Sequence, residues 1–246
     1  KLKVPTTYWC CVNCPGNPAA WKRHAVYHKE VKGFRKKTED GGAMQQRNRE
    51  LAEEAARYAA QSGDEYDELV AEGARHGSKE DTRRAARAFR EAIALRPDRP
   101  EAYFNLGTSL NNSGHPVEDA QRFLEAKERL QVGSGHWAET TATAFHLLAQ
   151  RACAEAAKPE WWNDEGLKAL SATVVRAAPK DVQANEMRAM VLSGRAGAWV
   201  AGPRSAAEVK KAATHFDRAA ALHPAPAVKA HFASCAAQYR SQAEAM

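Results

Sequence analysis

The chain has 246 residues, of which 44% are hydrophobic and 27% are charged, as in an ordinary globular protein. No apolar run approaches the roughly 18 residues that span a bilayer, and the opening "KLKVPTTYW" lacks the apolar core of a secretory signal. Three of the five cysteines fall within five residues, which favours metal binding in a reducing compartment over a disulfide framework. We therefore expect no membrane partner and an intracellular protein, cytoplasmic or nuclear.

The first 37 residues differ from the rest in charge and in metal-ligating side chains. They hold nine Lys or Arg and one acid, a charge of +8, whereas the remaining chain carries −2. Zinc prefers four thiolate and imidazole ligands. A complete set can be drawn as C-x2-C followed by H-x3-H, in which two histidines one helical turn apart share a face. Its members are Cys11, Cys14, His24 and His28.

A second arrangement of the same segment starts at Cys10 and reads Y-x-C-x3-C followed by W-x2-H-x3-H. It resembles the second half of a MYND zinc finger, with His28 where that family has a cysteine and with Trp9 as an extra residue. The resemblance implies a structural zinc, and the family's first four ligands would lie before Lys1. Cys10 and Cys11 stay open as alternative ligands.

The basic residues around this cluster suggest two interpretations. Lysines and arginines contact phosphates in nucleic-acid-binding proteins, which makes binding of nucleic acid through the finger one hypothesis. We favour a solvated charged surface. Residues 38–43, "TEDGGA", are predicted as a linker between this module and the remaining chain.

From residue 44 to the end, the pattern predicts helices throughout. In "NRELAEEAARYAAQ" the residues Leu51, Ala55, Tyr58 and Ala59 fall on one helical stripe. Alanines are frequent and β-branched runs are short, as expected of helices. We therefore predict an all-α domain over 44–246.

A frame of four residues, A-x3-F-x2-A-x4-P, occurs twice in this domain. Small alanines let two helices approach closely, the aromatic fills the space one turn on, and proline ends the helix. The frame resembles the second helix of a tetratricopeptide repeat (TPR), which implies an α-solenoid of helix pairs. The copies consist of Ala85, Phe89, Ala92 and Pro97, and of Ala212, Phe216, Ala219 and Pro224.

The stretch "EAYFNLGTSLNNSGHP" resembles the first helix of such a repeat, with Gly107 at the small position. The next helix has one extra residue before Ala120, so we expect Phe123 to be out of register. In this family the first helices line the concave face that binds peptides. The predicted partner-binding residues are Tyr103, Asn105, Thr108 and Asn112.

The sequence contains none of the common catalytic motifs, including G-x-S-x-G, H-E-x-x-H and the P-loop. We therefore predict a non-enzymatic adaptor for a protein or peptide partner, with structural zinc as its cofactor. One alternative is a fragment of a lysine methyltransferase, because SET-type members combine a MYND finger with a TPR-like region. No SET motif occurs in this sequence. Binding of nucleic acid is the other alternative.

Overall fold

The computed structural model describes residues 39–246, and in that part of the chain helices dominate. Side chains are described from residue 49 onward, except that of residue 112, and also at residue 46. The residues fall into two compact units that divide after Arg129. In each unit, helices that follow one another in the chain pack against each other. The predicted all-α class is thereby confirmed.

Five helices make up the described part of the first unit, and the connections between them are short. Helices α2 and α3 form one antiparallel pair, and α4 and α5 form the next. The helices are α1 (Glu39–Ser62), α2 (Glu65–Ser78), α3 (Thr82–Leu95), α4 (Pro100–Ser113) and α5 (Pro116–Arg129).

The second unit contains five more α-helices and a short hairpin. Helix α8 packs against α6, α7 and α9, and α10 packs on α9. The elements are α6 (Gly135–Leu148), a 3-10 turn (Arg151–Cys153), α7 (Asp164–Ala177), α8 (Val182–Ser193), β1 (Arg195–Ala196), β2 (Trp199–Val200), α9 (Ala206–Leu222) and α10 (Pro226–Glu244).

Helix starts follow from short polar side chains that accept a backbone N–H left unpaired in the first turn. Three further helices, α4, α5 and α10, begin with proline, which has no N–H to satisfy. The capping residues are Asp64, Asp81, Ser134, Asn163, Asp181 and Ser205.

Helix α1 begins at Glu39, so residues 39–43 are helical where the sequence predicted a linker. Glycine costs only about 1 kcal/mol in a helix interior. The two glycines in this stretch are therefore a weak signal that a continuing helix can override.

The two pairs of the first unit repeat at a spacing of 34 residues. Helix α5 begins and ends 34 residues after α3. A Cβ atom at Gly73 would lie 2.5 Å from the Phe89 ring, and one at Gly107 would lie 2.8 Å from the Phe123 ring. Phe123 is therefore in register, and the expected one-residue shift is wrong. The misleading residue is Asp119, which takes the place that alanine holds one repeat earlier.

In the second unit, aromatic packing and one ion pair fix the last helices. Phe216 of α9 stacks on Tyr239 of α10, with ring centroids 5.5 Å apart. The hairpin after α8 is followed by Arg204, whose buried guanidinium pairs with Asp164 and donates to the Val191 carbonyl at 3.1 Å. A hairpin and a loop over 195–205 thus interrupt the run of helices.

Within residues 39–246, none of the helices combines the length and apolar character that crossing a bilayer would require.

Candidate functional site

The predicted partner-binding residues lie in the first unit on α4, which contacts α2. These are the first helices of the two pairs, and their second helices pack behind them through the glycine–phenylalanine contacts. The two first helices, α2 and α4, therefore lie side by side in the fold. We call the exposed side that they share the α2–α4 face.

Tyr103 contributes to packing more than to this surface. Its side chain is only 5% exposed, and its hydroxyl donates to the Pro97 carbonyl at 3.1 Å. The guanidinium of Arg129 stacks 4.1 Å from the ring centroid, an attractive cation–π arrangement. Tyr103 therefore ties α4 to the ends of α3 and α5 and offers little area to a partner.

Asn105 and Thr108 remain accessible on α4. Asn105 is half-buried, and Thr108 is exposed with its hydroxyl donating to the Phe104 carbonyl at 3.1 Å. The side chain of Asn112 lies outside the described part. The role of these three residues in binding stays a prediction.

Phe104 is a residue of this surface that the sequence analysis missed. It is half-buried, and its ring meets Phe123 edge-on with centroids 5.1 Å apart. The sequence feature that could have revealed it is the spacing of four residues between Phe104 and Thr108, which places both on one side of a helix. Val70 of α2 is also half-buried and packs against the core between the pairs. The α2–α4 face thus combines apolar and amide groups.

A dense polar network occupies the start of α4. The Arg99 guanidinium lies 3.3 Å from Asp67 and 3.4 Å from Glu101, and it stacks 4.4 Å from the centre of the Tyr66 ring. The Tyr66 hydroxyl donates to Glu101 at 3.2 Å and accepts the Ala102 N–H. Burial and the Glu101 charge raise the pKa of Tyr66 well above its usual value. These contacts position α4 against α2.

The second unit contains a different kind of polar cluster, buried around α8. Glu186 is 8% exposed, and its Oε2 lies 3.8 Å from His146 Nε2, which also contacts the Gln183 carbonyl at 3.3 Å. Burial raises the pKa of Glu186 to about 8 and lowers the pKa of His146 to about 4. Both groups are therefore uncharged at neutral pH, and their contact is not an ion pair.

A second pair of polar side chains joins α8 to α9. The Asn185 amide nitrogen donates to the carbonyls of Pro179 and Asp181, at 3.0 and 2.8 Å. Its oxygen therefore faces His215 Nδ1, 3.1 Å away, so Nδ1 carries the proton. Burial lowers the pKa of His215 to about 4. This geometry satisfies buried polar groups and needs no catalytic role.

The predicted zinc ligands Cys10, Cys11, Cys14, His24 and His28 lie outside the described residues. Among the residues that are described, no three His, Cys, Asp or Glu side chains are grouped so that they could hold a metal ion.

Comparison with known proteins does not assign this chain to a family. No protein-family model matches the chain, and a search of curated proteins finds no significant match.

Proposed function

We propose that the chain is a non-catalytic adaptor whose TPR-like helix pairs bind an extended or helical peptide of a protein partner on the α2–α4 face. The observation that carries this proposal is the glycine–phenylalanine contact repeated 34 residues apart, at Gly73 and Gly107. Stacked helix pairs of this kind form preformed surfaces suited to peptides.

The chemistry of the α2–α4 face supports a peptide ligand. Phe104 and Val70 are half-buried and can contact an apolar side chain of the partner. The Asn105 amide can donate to and accept from a peptide backbone, which must keep its hydrogen bonds when it leaves water. Arg99 is already neutralised by two carboxylates, so we do not expect an acidic peptide terminus to be recognised there.

Selection of peptides from a random library against the full chain tests this proposal. Thr108→Lys places a long charged side chain on the face at an exposed position, so it should abolish binding without unfolding the protein. Asn105→Ala should weaken binding by about tenfold, the effect of losing one well-placed interfacial contact.

The matched control is Gln121→Lys, which introduces the same side chain at an exposed position of α5. Selected peptides should bind this variant as they bind the wild type. Equal affinities for the Thr108→Lys and Gln121→Lys variants would show that the peptides bind elsewhere.

We also propose that residues 1–37 hold a structural zinc ion through Cys14, His24 and His28 with one further cysteine. Four protein ligands leave no open position for substrate. Metal analysis of the full chain should find zinc that is lost in Cys14→Ser and retained in Cys235→Ser. Loss of zinc in Cys10→Ser but not in Cys11→Ser would favour the MYND-like arrangement, and the reverse would favour the single-site one.

A further inference from the structure

Helix α10 carries a cysteine and a histidine that are one helical turn apart and in contact. Cys235 Sγ lies 3.5 Å from His231 Nε2. Cys235 is present as a thiol, and both side chains are half-buried, so solvent reaches part of each. A thiol within hydrogen-bond reach of an imidazole nitrogen can pass its proton to that nitrogen and become the nucleophilic thiolate.

A buried carboxyl group of α8 lies close to this pair. Glu186 is 8% exposed, and it interacts electrostatically with both His231 and Cys235. Its carboxyl group makes no hydrogen bond to any of the described residues, and its Oε2 lies 3.8 Å from His146 Nε2. The cysteine and histidine therefore belong to a polar cluster that is built from three helices, α6, α8 and α10.

The charges around the pair allow a thiolate at neutral pH. Burial raises the pKa of Glu186 to about 8, so its carboxyl group is mostly uncharged and does not repel a negatively charged sulfur atom. The protonated imidazole of His231 would carry the compensating positive charge. Further along α10, Arg240 is paired with Asp217 of α9, so these two charges offset each other.

We propose that Cys235 is a modification site at which a low-molecular-weight disulfide, such as glutathione disulfide, forms a mixed disulfide with the chain. His231 Nε2 accepts the thiol proton, and Sγ attacks one sulfur atom of the small disulfide. The S–S bond of that disulfide breaks as the new one forms, and the departing thiolate takes the proton from His231. Cys235 is thereby oxidised, and the other half of the small disulfide leaves as a reduced thiol.

The second described cysteine provides an internal comparison. Cys153 is 0% exposed, so a disulfide reaches it only when the surrounding structure opens. Trypsin releases the two cysteines in different peptides, 152–168 and 230–240, and each peptide contains one cysteine. Mass spectrometry of these peptides therefore follows each cysteine separately in the full chain, without a contribution from the cysteines of residues 1–37.

Incubation of the full chain with glutathione disulfide tests the proposal. At pH 7 the wild-type Cys235 should react at least about tenfold faster than the buried Cys153. A thiol without a proton acceptor is only about 3% ionised at this pH, so His231→Gln should slow the reaction of Cys235 by about tenfold. The matched control is His223→Gln, because both histidine rings contact Phe232, and it should leave the rate unchanged.

A second measurement at pH 9.5 distinguishes a proton acceptor from a residue that only shapes the surroundings. Solvent ionises most thiols at this pH, so wild type and His231→Gln should react at nearly equal rates, while an unreactive Cys153 shows that the molecules stay folded. Equal Cys235 rates in the two proteins at pH 7 overturn the proposal, and so does the same slowing at both pH values. A wild-type Cys235 that reacts no faster than Cys153 also overturns it, whatever the variant does.

Discussion

Asp119 is the clearest target for a stability measurement, because it buries a carboxyl group with no partner. Its side chain is 0% exposed, neither carboxylate oxygen has a hydrogen-bond partner, and Oδ1 lies against Gly107. Arg122 is three residues away on the same helix but pairs with Glu125 at 2.6 Å. Burial alone therefore raises the pKa of Asp119 to about 8. One repeat earlier the same position is Ala85.

The sign of the pH effect follows from proton binding. Between the ordinary aspartate pKa of 3.8 and the folded value of about 8, the folded state keeps a proton that the unfolded chain releases. Stability from this group is therefore complete at low pH and declines as pH rises. Each pH unit in this window lowers the free energy of unfolding by about 1.4 kcal/mol, so the decline from pH 5 to pH 7 is about 3 kcal/mol.

The perturbation is Asp119→Ala, which restores the residue of the preceding repeat and removes the titration. The difference in unfolding free energy between variant and wild type should grow in favour of the variant by about 3 kcal/mol from pH 5 to pH 7. Comparing the difference at two pH values cancels the effect of the lost side-chain contacts. Asp119→Asn keeps the size of the side chain and should show the same change with pH.

Native-state hydrogen exchange of the α4 and α5 amides, corrected for the intrinsic rates, measures this first-unit stability separately from the second unit. Glu118→Ala is the matched control, because it removes a partly exposed carboxylate one residue earlier that pairs with Arg90 at 2.9 Å. A surface pair contributes about 0–1 kcal/mol. If the Asp119→Ala and wild-type proteins lose stability in parallel as pH rises, the carboxyl is not protonated in the folded state and the reasoning fails.

Three further predictions concern packing and burial elsewhere. Gly73→Ala should cost about 1–3 kcal/mol in urea unfolding, because its Cβ would overlap the Phe89 ring; Gly77→Ala in the same helix meets nothing within 4 Å and should gain about 0.5 kcal/mol. The wild-type second unit should lose about 2 kcal/mol of stability between pH 6.5 and 8, because the folded Glu186 carboxyl, with its pKa of about 8, keeps a proton that the unfolded one loses. Glu186→Gln should abolish this fall. If hydrogen exchange of the α8 amides depends on pH in the same way in variant and wild type, the prediction is wrong. Arg204→Met should lower the thermal midpoint by removing about 2 kcal/mol of charged hydrogen bonds, and a midpoint equal to that of the wild type would show that the loop does not depend on them.

The small position at Gly107 could be predicted from sequence because it has a steric cause. An aromatic side chain on one helix needs a residue without Cβ opposite it, and such pairs are visible as Gly and Phe at fixed separations. The register of Phe123 was missed because Asp119 stands where the frame has alanine. The frame requires a small apolar residue at this buried position, and aspartate does not meet that requirement. The substitution of alanine by Asp119 was therefore interpreted as an extra residue before Ala120.

The composition of the α2–α4 face could be predicted only in part. Tyr103 was expected there, but it is the neighbouring Phe104 that reaches the surface. One residue corresponds to a rotation of about 100° around a helix, which moves a side chain from the surface to the core. The stretch 101–116 correctly predicts helix α4, yet the rotation of the helix depends on contacts made by α2 and α5. Those contacts join residues far apart in sequence.

Helix α8 shows why the polar cluster of the second unit could not be predicted. Sequence patterns detect a helix by the contrast between one apolar side and one polar side. Helix α8 packs against three neighbours, so nearly all of its residues from 184 to 193 are buried and the contrast disappears. Polar residues in such a helix are buried along with the apolar ones, and each must find a partner or give up its charge. Asn185 takes the first course through His215, and Glu186 takes the second, because burial raises its pKa to about 8.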